Sequence, residues 1–413
     1  MRESIIEKYE IVHSDIVDYI DFLSKDFVNL PIIQSDDDVY FIDLINKLFQ
    51  NYQRELGRIA IFPEDYKEKV SALSSSIEKS LKAYYSGQPA EAYGELEEGL
   101  NAVIDKIFHA KLFRNMIPKN LYRMRVGLNK SYSRGEMFHI PFEKRGMATT
   151  QRYSIPGLPC LYLGESIYVC WEELKRPDLH YVHGSKFTFT DEIKDKLNIL
   201  YFGLTPKMFA HEISQEYKYR TYVSVEKYKR NLDEAAVLEL KEILESYIIL
   251  WPLMMSCSIK VRNTNDIFKP EYIVPQLLLQ WVTNRNDYQG ICYFSVNTSH
   301  STDNYLLNQN IVIPVKSVNK KGYCTELMSM FKLTNSAPWQ IFNINSMSYI
   351  ENEINRREGI ILEKKDILPR SEMKIGLSSA DSKYSRTQFG MFEEFLNCYE
   401  LDMVDNSSSC KNS

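Results

Sequence analysis

Four apolar stripes run through the first 112 residues and then stop, and this change of period constrains the fold more than any other feature of the chain. Ile5, Tyr9, Val12, Ile16, Tyr19 and Leu23 recur at spacings of four and three. Phe41, Ile45, Leu48 and Tyr52 repeat the pattern, as do Val70, Leu73, Ile77, Leu81 and Tyr84, and then Tyr93, Leu96, Leu100, Val103 and Ile107. Such spacing lines one face of an α-helix. The connections "FPED" and "SGQPA" carry the residues that interrupt helices. A helical bundle over 1–115 is expected. It reads as a scaffold or partner-binding domain, because no catalytic constellation stands out within it.

Beyond about residue 120 the runs shorten and fill with aromatic and β-branched residues. "LYRMRVG", "CLYLG", "KFTFT", "LNILYFG", "ICYFS" and "NIVIPV" read as strands. Helical patterns lie between them at 166–175, 232–250 and 275–284, with Pro275 suited to a first turn. Strands and helices mix without a regular βαβ alternation, so the expected class is α+β: a helical bundle, then a mixed α/β domain over 116–340. A C-terminal extension, 341–413, follows. It carries a charged helix-like run with a strand candidate, "GIILEKKDIL", a linker at 377–386, a docking helix at 387–401 and a disordered end at 405–413.

Bulk properties exclude several classes. The 413 residues are 44% hydrophobic and 25% charged, as in ordinary globular proteins. A net charge of −5 argues against a dedicated nucleic-acid binder. No window supplies a membrane span, and "MRESIIEKYE" has no secretory apolar core. The seven cysteines are scattered with no CxxC, which fits a reduced, cytoplasmic protein. His180 and His183 lack a second ligand pair and are assigned to a loop or to packing, so no metal is expected. The Walker, dinucleotide, GxSxG and HExxH motifs are absent.

What remains is the stretch "QRYSIPGLPCLYLGESIYVCWEEL" at 151–174, in which Tyr162 lies ten residues after Arg152 and Glu173 eleven further on. Upstream stands "LYRMR" at 121–125, and downstream "WPLMMSCSI", "EYIVPQLLLQWV" and "GICYFS", the last ending at Ser295. This ordered set resembles the RES domain family, named for its Arg, Glu and Ser, over roughly 120–335. The resemblance implies a fold similar to ADP-ribosyltransferase toxins and consumption of NAD+. Most RES toxins read Gly-Gly-Arg-Trp-Asn where this chain has Thr150, Gln151, Arg152, Tyr153 and Ser154. The departure bears on ribose and adenosine contacts more than on bond breaking. The added helical domain resembles the longer RES proteins.

Each position carries its own physical reading beside the resemblance. Guanidinium forks grip phosphate oxygens in pairs, so Arg123 and Arg152 are candidate clamps on the NAD+ diphosphate. Tyr162 either packs in the core or faces the cationic nicotinamide ring. Tyr122 points away from Arg123 by strand alternation and is assigned to packing. Glu173 is the candidate for stabilising an oxocarbenium-like ribose, while Glu172 is assigned to a solvated helix face. Ser295 ends a strand, where its hydroxyl is placed to bond phosphate or ribose; Gln276 is taken as structural.

The expected activity is cleavage of the nicotinamide–ribose bond, as a glycohydrolase or phosphorylase, in a growth-arresting toxin or defence effector. The catalytic set is Glu173, Arg152 and Ser295, and the NAD+-binding set is Arg123, Arg152, Tyr162 and Ser295. The rivals are ADP-ribosyl transfer to a macromolecule and a non-catalytic interaction protein that kept the fold. An antitoxin or regulatory protein is the expected partner, without nucleic acid or membrane; an oligomer is left open.

Overall fold

The apolar stripes of the N-terminal segment become helices. A computed structural model describes residues 14–34, 40–107, 118–127, 131–194, 196–226, 234–301, 304–344, 373–376 and 381–404. Helix α1 spans 14–23, and Ile5, Tyr9 and Val12 of its stripe lie outside the described residues. Helices α2 (Phe41–Leu56), α3 (Glu64–Tyr85) and α4 (Pro89–Ala102) follow, the last with proline at its first turn. Val70, Leu73, Ile77 and Leu81 on α3 are fully buried, as are Leu96 and Leu100 on α4. Gly99 lets α3 and α4 approach closely, since a Cβ there would lie 2.5 Å from that of Ser76.

In the sheet region every expected strand forms. The elements are β1 (Leu121–Val126), β2 (Cys160–Gly164), α5 (Ile167–Glu173), β3 (Val182–Phe189), a single turn α6 (Asp191–Lys194) and β4 (Ile199–Phe202). Three helices come next: α7 (Pro206–Glu226), α8 (Glu234–Cys257) and α9 (Ile273–Asn284). Then come β5 (Gly290–Phe294), β6 (Gln309–Pro314), α10 (Thr325–Met330), β7 (Phe331–Leu333), β8 (Ala337–Pro338) and α11 (339–344). Among the described residues the sheet order is β4-β5-β6-β2-β1-β3-β7, with β8 on β3. All pairs are antiparallel except β4 with β5. A parallel pair needs a long crossover, and here residues 204–284 supply it.

That crossover explains where the domains depart from the expected boundaries. The chain forms two compact units, and 151–153 and 204–281 belong with the N-terminal helices rather than with the sheet. The cause is visible in α8, whose stretch 243–257 is buried at every position and must be covered all round. Its Pro252 cannot donate to the Ile248 carbonyl one turn earlier. The Tyr52 hydroxyl of α2 donates to that carbonyl instead, at 2.7 Å. The Tyr52 ring stacks on Trp251 with centroids 4.0 Å apart. Trp251 in turn donates its indole N–H to Val28 O at 2.8 Å.

The sheet and the C-terminal elements form the second unit. The strand candidate at 359–368 and the tail at 405–413 lie outside the described residues. Part of the segment expected to be a linker is ordered: β10 (Asp381–Lys383) pairs with β9 (Lys374–Gly376), and Tyr384 is buried. The expected docking helix is α12 (Gln388–Leu396), capped by Thr387, whose hydroxyl accepts from the Gly390 N–H. Phe392 seats against Gly184 of β3, where a Cβ would meet its ring at 2.4 Å.

Candidate functional site

Helix α5 is held at its N-terminal end and against the sheet. Ser166 caps it, accepting from the Val169 N–H at 2.9 Å while donating to Leu307 O at 2.6 Å. The Glu393 carboxylate of α12 accepts the Ile167 N–H at 2.7 Å and the Tyr384 hydroxyl at 2.6 Å. A carboxylate there also suits the positive end of the helix. Gly164 of β2 lets the helix lie close, because a Cβ would come within 2.6 Å of Val169 and 2.7 Å of the Cys170 sulfur. Glu173 is the last residue of α5, so these contacts fix where its carboxylate emerges. Lys175 and Arg176 then turn the chain away at φ 63° and 54°. Left-handed backbone of this kind costs a non-glycine residue roughly 1 kcal/mol.

Glu173 is an exposed residue, yet both of its carboxylate oxygens are held. Oε1 accepts from the Ser295 hydroxyl at 2.6 Å and from Asn310 Nδ2 at 2.9 Å. Oε2 accepts from Asn297 Nδ2 at 3.0 Å. Ser295 is fully buried, and its oxygen also accepts the Asn297 N–H at 3.1 Å. His300 bonds the Ser295 carbonyl at 2.6 Å; because that oxygen can only accept, Nε2 carries the proton. Burial holds this imidazole below its usual pKa, so it is a neutral strut. The result is an orientated acid on an exposed residue.

Strand register sets what lies beside it. Asn310 of β6 is opposite Gly164 on β2 and Tyr293 on β5, while Val312 is opposite Tyr162. Directly paired residues share a sheet face, so Tyr162, Tyr293 and Asn310 line one surface. Tyr162 is half-buried. Burial pushes its phenol well up, with the neighbouring Cys160 thiol and Tyr293 adding to the rise and the Arg123 charge opposing it.

Arg123 is half-buried on β1, with Nη1 donating to Phe138 O at 2.9 Å. Burial and the Arg125 guanidinium pull its pKa down to about 9, which leaves it charged at neutral pH. Tyr122, beside it, is buried as expected.

Arg152 is placed differently from the expectation. It belongs to the first unit, whereas Glu173 and Ser295 belong to the second. Its Nη1 donates to Cys257 O at 3.0 Å and Glu271 O at 3.5 Å, and its Nη2 to Ile259 O at 2.8 Å. The guanidinium lies over the Tyr272 ring, 5.3 Å from its centre, and the residue is 8% exposed. Main-chain carbonyls therefore engage both ends of the fork that was expected to hold phosphate. Gln276 Nε2 donates to Gln151 O at 3.1 Å, which fits its structural assignment.

Glu172 also departs from expectation. It is buried rather than solvated, and Oε2 pairs with Arg176 Nε at 2.8 Å. Asn297 and Asn310 were not singled out from the sequence. His180 is exposed in a turn, and His183 packs edge-on against Tyr132. Among the described residues no group of three His, Cys, Asp or Glu side chains is arranged to hold a metal ion. Among them, too, no helix is long and apolar enough to cross a membrane.

Comparison with known proteins gives one informative relative. The chain is 33% identical over 374 residues to the protein named "Putative toxin YopC" of Bacillus subtilis (strain 168), an alignment covering 87% of this chain and 76% of that protein. The chain belongs to the YopC family. No family model matches this YopC-family chain, and no solved structure matches it.

Proposed function

We propose that the protein cleaves the nicotinamide–ribose bond of NAD+ at the Glu173 site. The observation that carries this reading is an exposed glutamate whose two carboxylate oxygens are fixed by three side-chain donors, Ser295, Asn297 and Asn310. As the C1′–N bond breaks, neutral nicotinamide departs with the bonding pair and positive charge builds on the ribose. A fixed anion lowers that barrier, because its orientation needs no adjustment in the transition state. Water or phosphate then adds at C1′, and for water the released proton passes to Glu173 or to solvent. Ser295 serves here by holding Glu173 rather than as a nucleophile. The Tyr162 ring is the surface for the cationic nicotinamide. Arg123 is the phosphate contact, while Arg152 ties the 257–271 backbone within its own unit.

The biological role we propose is that of a growth-arresting toxin, in keeping with the name the relative bears. Transfer to a macromolecule is the alternative that the exposure of Glu173 favours, since an open acid leaves room for a large acceptor. Incubation of the purified protein with adenine-labelled NAD+ tests both. Free nicotinamide together with labelled ADP-ribose or its 1″-phosphate supports the first reading; label retained on protein or nucleic acid supports the second. No nicotinamide release by wild type, or equal release by Glu173→Ala, overturns both.

A further inference from the structure

We infer that Arg125, with Arg123, forms a two-guanidinium clamp for a diphosphate ester. The inference rests on the NAD+ reading for its physiological ligand, but its physical basis is separate. Arg123 and Arg125 stand two apart on β1, which puts both side chains on one face about 7 Å apart along the strand. Both donate to a single neutral acceptor, Phe138 O, at 2.9 Å from Arg123 Nη1 and 3.2 Å from Arg125 Nη2. One carbonyl has two lone pairs, and these two bonds fill it. Each guanidinium offers five N–H donors, so most of that capacity is not taken up at Phe138.

Among the described residues neither arginine makes an ion pair, and Arg125 Nε is buried with no acceptor. The acid whose charge reaches Arg125 is Glu136, and its Oε2 is occupied by the Ser133 N–H at 3.0 Å and hydroxyl at 3.1 Å. The adjoining His139 brings no negative charge. It is fully buried, its Nε2 accepts the Cys324 N–H at 2.9 Å and its Nδ1 donates to Ile140 O at 2.8 Å. Two like charges thus share a half-buried place with no ion pair among the described residues; Glu136 acts on Arg125 only through its field, and the Tyr132 ring lies 5.8 Å from the Arg125 guanidinium. A carboxylate or a monophosphate satisfies one fork; a diphosphate offers oxygens to both in a bidentate fashion.

Titration calorimetry of the full chain with inorganic pyrophosphate, and separately with inorganic phosphate, tests the clamp without any bond being broken. Pyrophosphate is expected to bind more tightly than phosphate. Arg125→Met and Arg123→Met are each expected to weaken it by about 10- to 100-fold, the usual effect of losing a charged hydrogen-bond pair. Arg125→Lys, which keeps charge on a flexible stem but loses the fork, is expected to lose several-fold. It carries the test if the methionine variant does not fold. Wild-type binding of pyrophosphate no tighter than phosphate, or unchanged binding in a folded Arg125 variant, overturns the inference. Failure of the cleavage reading would show instead as absent nicotinamide release with pyrophosphate binding intact.

Discussion

The bond between Ser295 and Glu173 predicts an energetic coupling that needs no assumption about substrate. The pair is 2.6 Å apart, in the short range of a hydroxyl donating to a carboxylate. A hydrogen bond to a charged group contributes about 1.5–3 kcal/mol when shielded. Here the serine is fully buried but the glutamate is exposed, so water competes for Oε1, and we discount the expected coupling to about 1 kcal/mol. Ser295→Ala removes that donor and also deprives the Asn297 N–H of its acceptor. Glu173→Gln removes the charge but keeps the shape. Urea unfolding of wild type, both single variants and the double variant closes a mutant cycle on the transition of the second unit. The double variant is expected to be less destabilised than the sum of the singles by about 1 kcal/mol, against the ~0.3–0.5 kcal/mol scatter of independent sites. Additive changes would refute the geometry from which the site is argued.

Other consequences follow from the same structure. Tyr52→Phe keeps the stack on Trp251 but leaves Ile248 O without its donor, and is expected to cost the first unit about 1–3 kcal/mol in denaturant unfolding; an unchanged midpoint would exclude the role given to Pro252. Burial holds the His139 imidazole down to about 4, from an ordinary value of 6.5. The unfolded chain therefore binds the extra proton between those values, so stability rises with pH across pH 4–6.5 and is lost as pH falls. His139→Asn is expected to remove that rise, about 3 kcal/mol in all across the window, measured as unfolding free energy against pH. Arg152→Lys cannot span three carbonyls, and is expected to lower the melting temperature while leaving pyrophosphate affinity unchanged; a weakened affinity would return Arg152 to the ligand.

Much of the fold was legible because local period and side-chain type agree there. "CLYLG" and "NIVIPV" are apolar runs of strand length, and both form strands of the sheet. The domain boundary was not legible, because chain order does not say which segments bury one another. The apolar girth of α8 and its internal Pro252 were visible, but the partner supplied by Tyr52 lies 196 residues from Ile248. In the site, the resemblance singled out Glu173 and Ser295, which meet across 122 residues. Asn310 was passed over although it is a buried polar side chain leading into the apolar run "IVIPV", a recognisable hint of function. Asn297 gave less signal, since a loop asparagine has many uses. Glu172 was misread because sequence shows that a charge is present, and only packing shows what satisfies it; the three carbonyls that Arg152 engages were hidden for the same reason.

The account stands most directly on a comparison of the two adjacent glutamates. Nicotinamide release from NAD+ is measured for wild type, Glu173→Gln and Glu172→Gln, each per mole of folded protein. Cleavage by wild type, near-complete loss in Glu173→Gln and retained cleavage in a less stable Glu172→Gln is the predicted outcome. Equal cleavage by wild type and Glu173→Gln, or none by wild type, would contradict it.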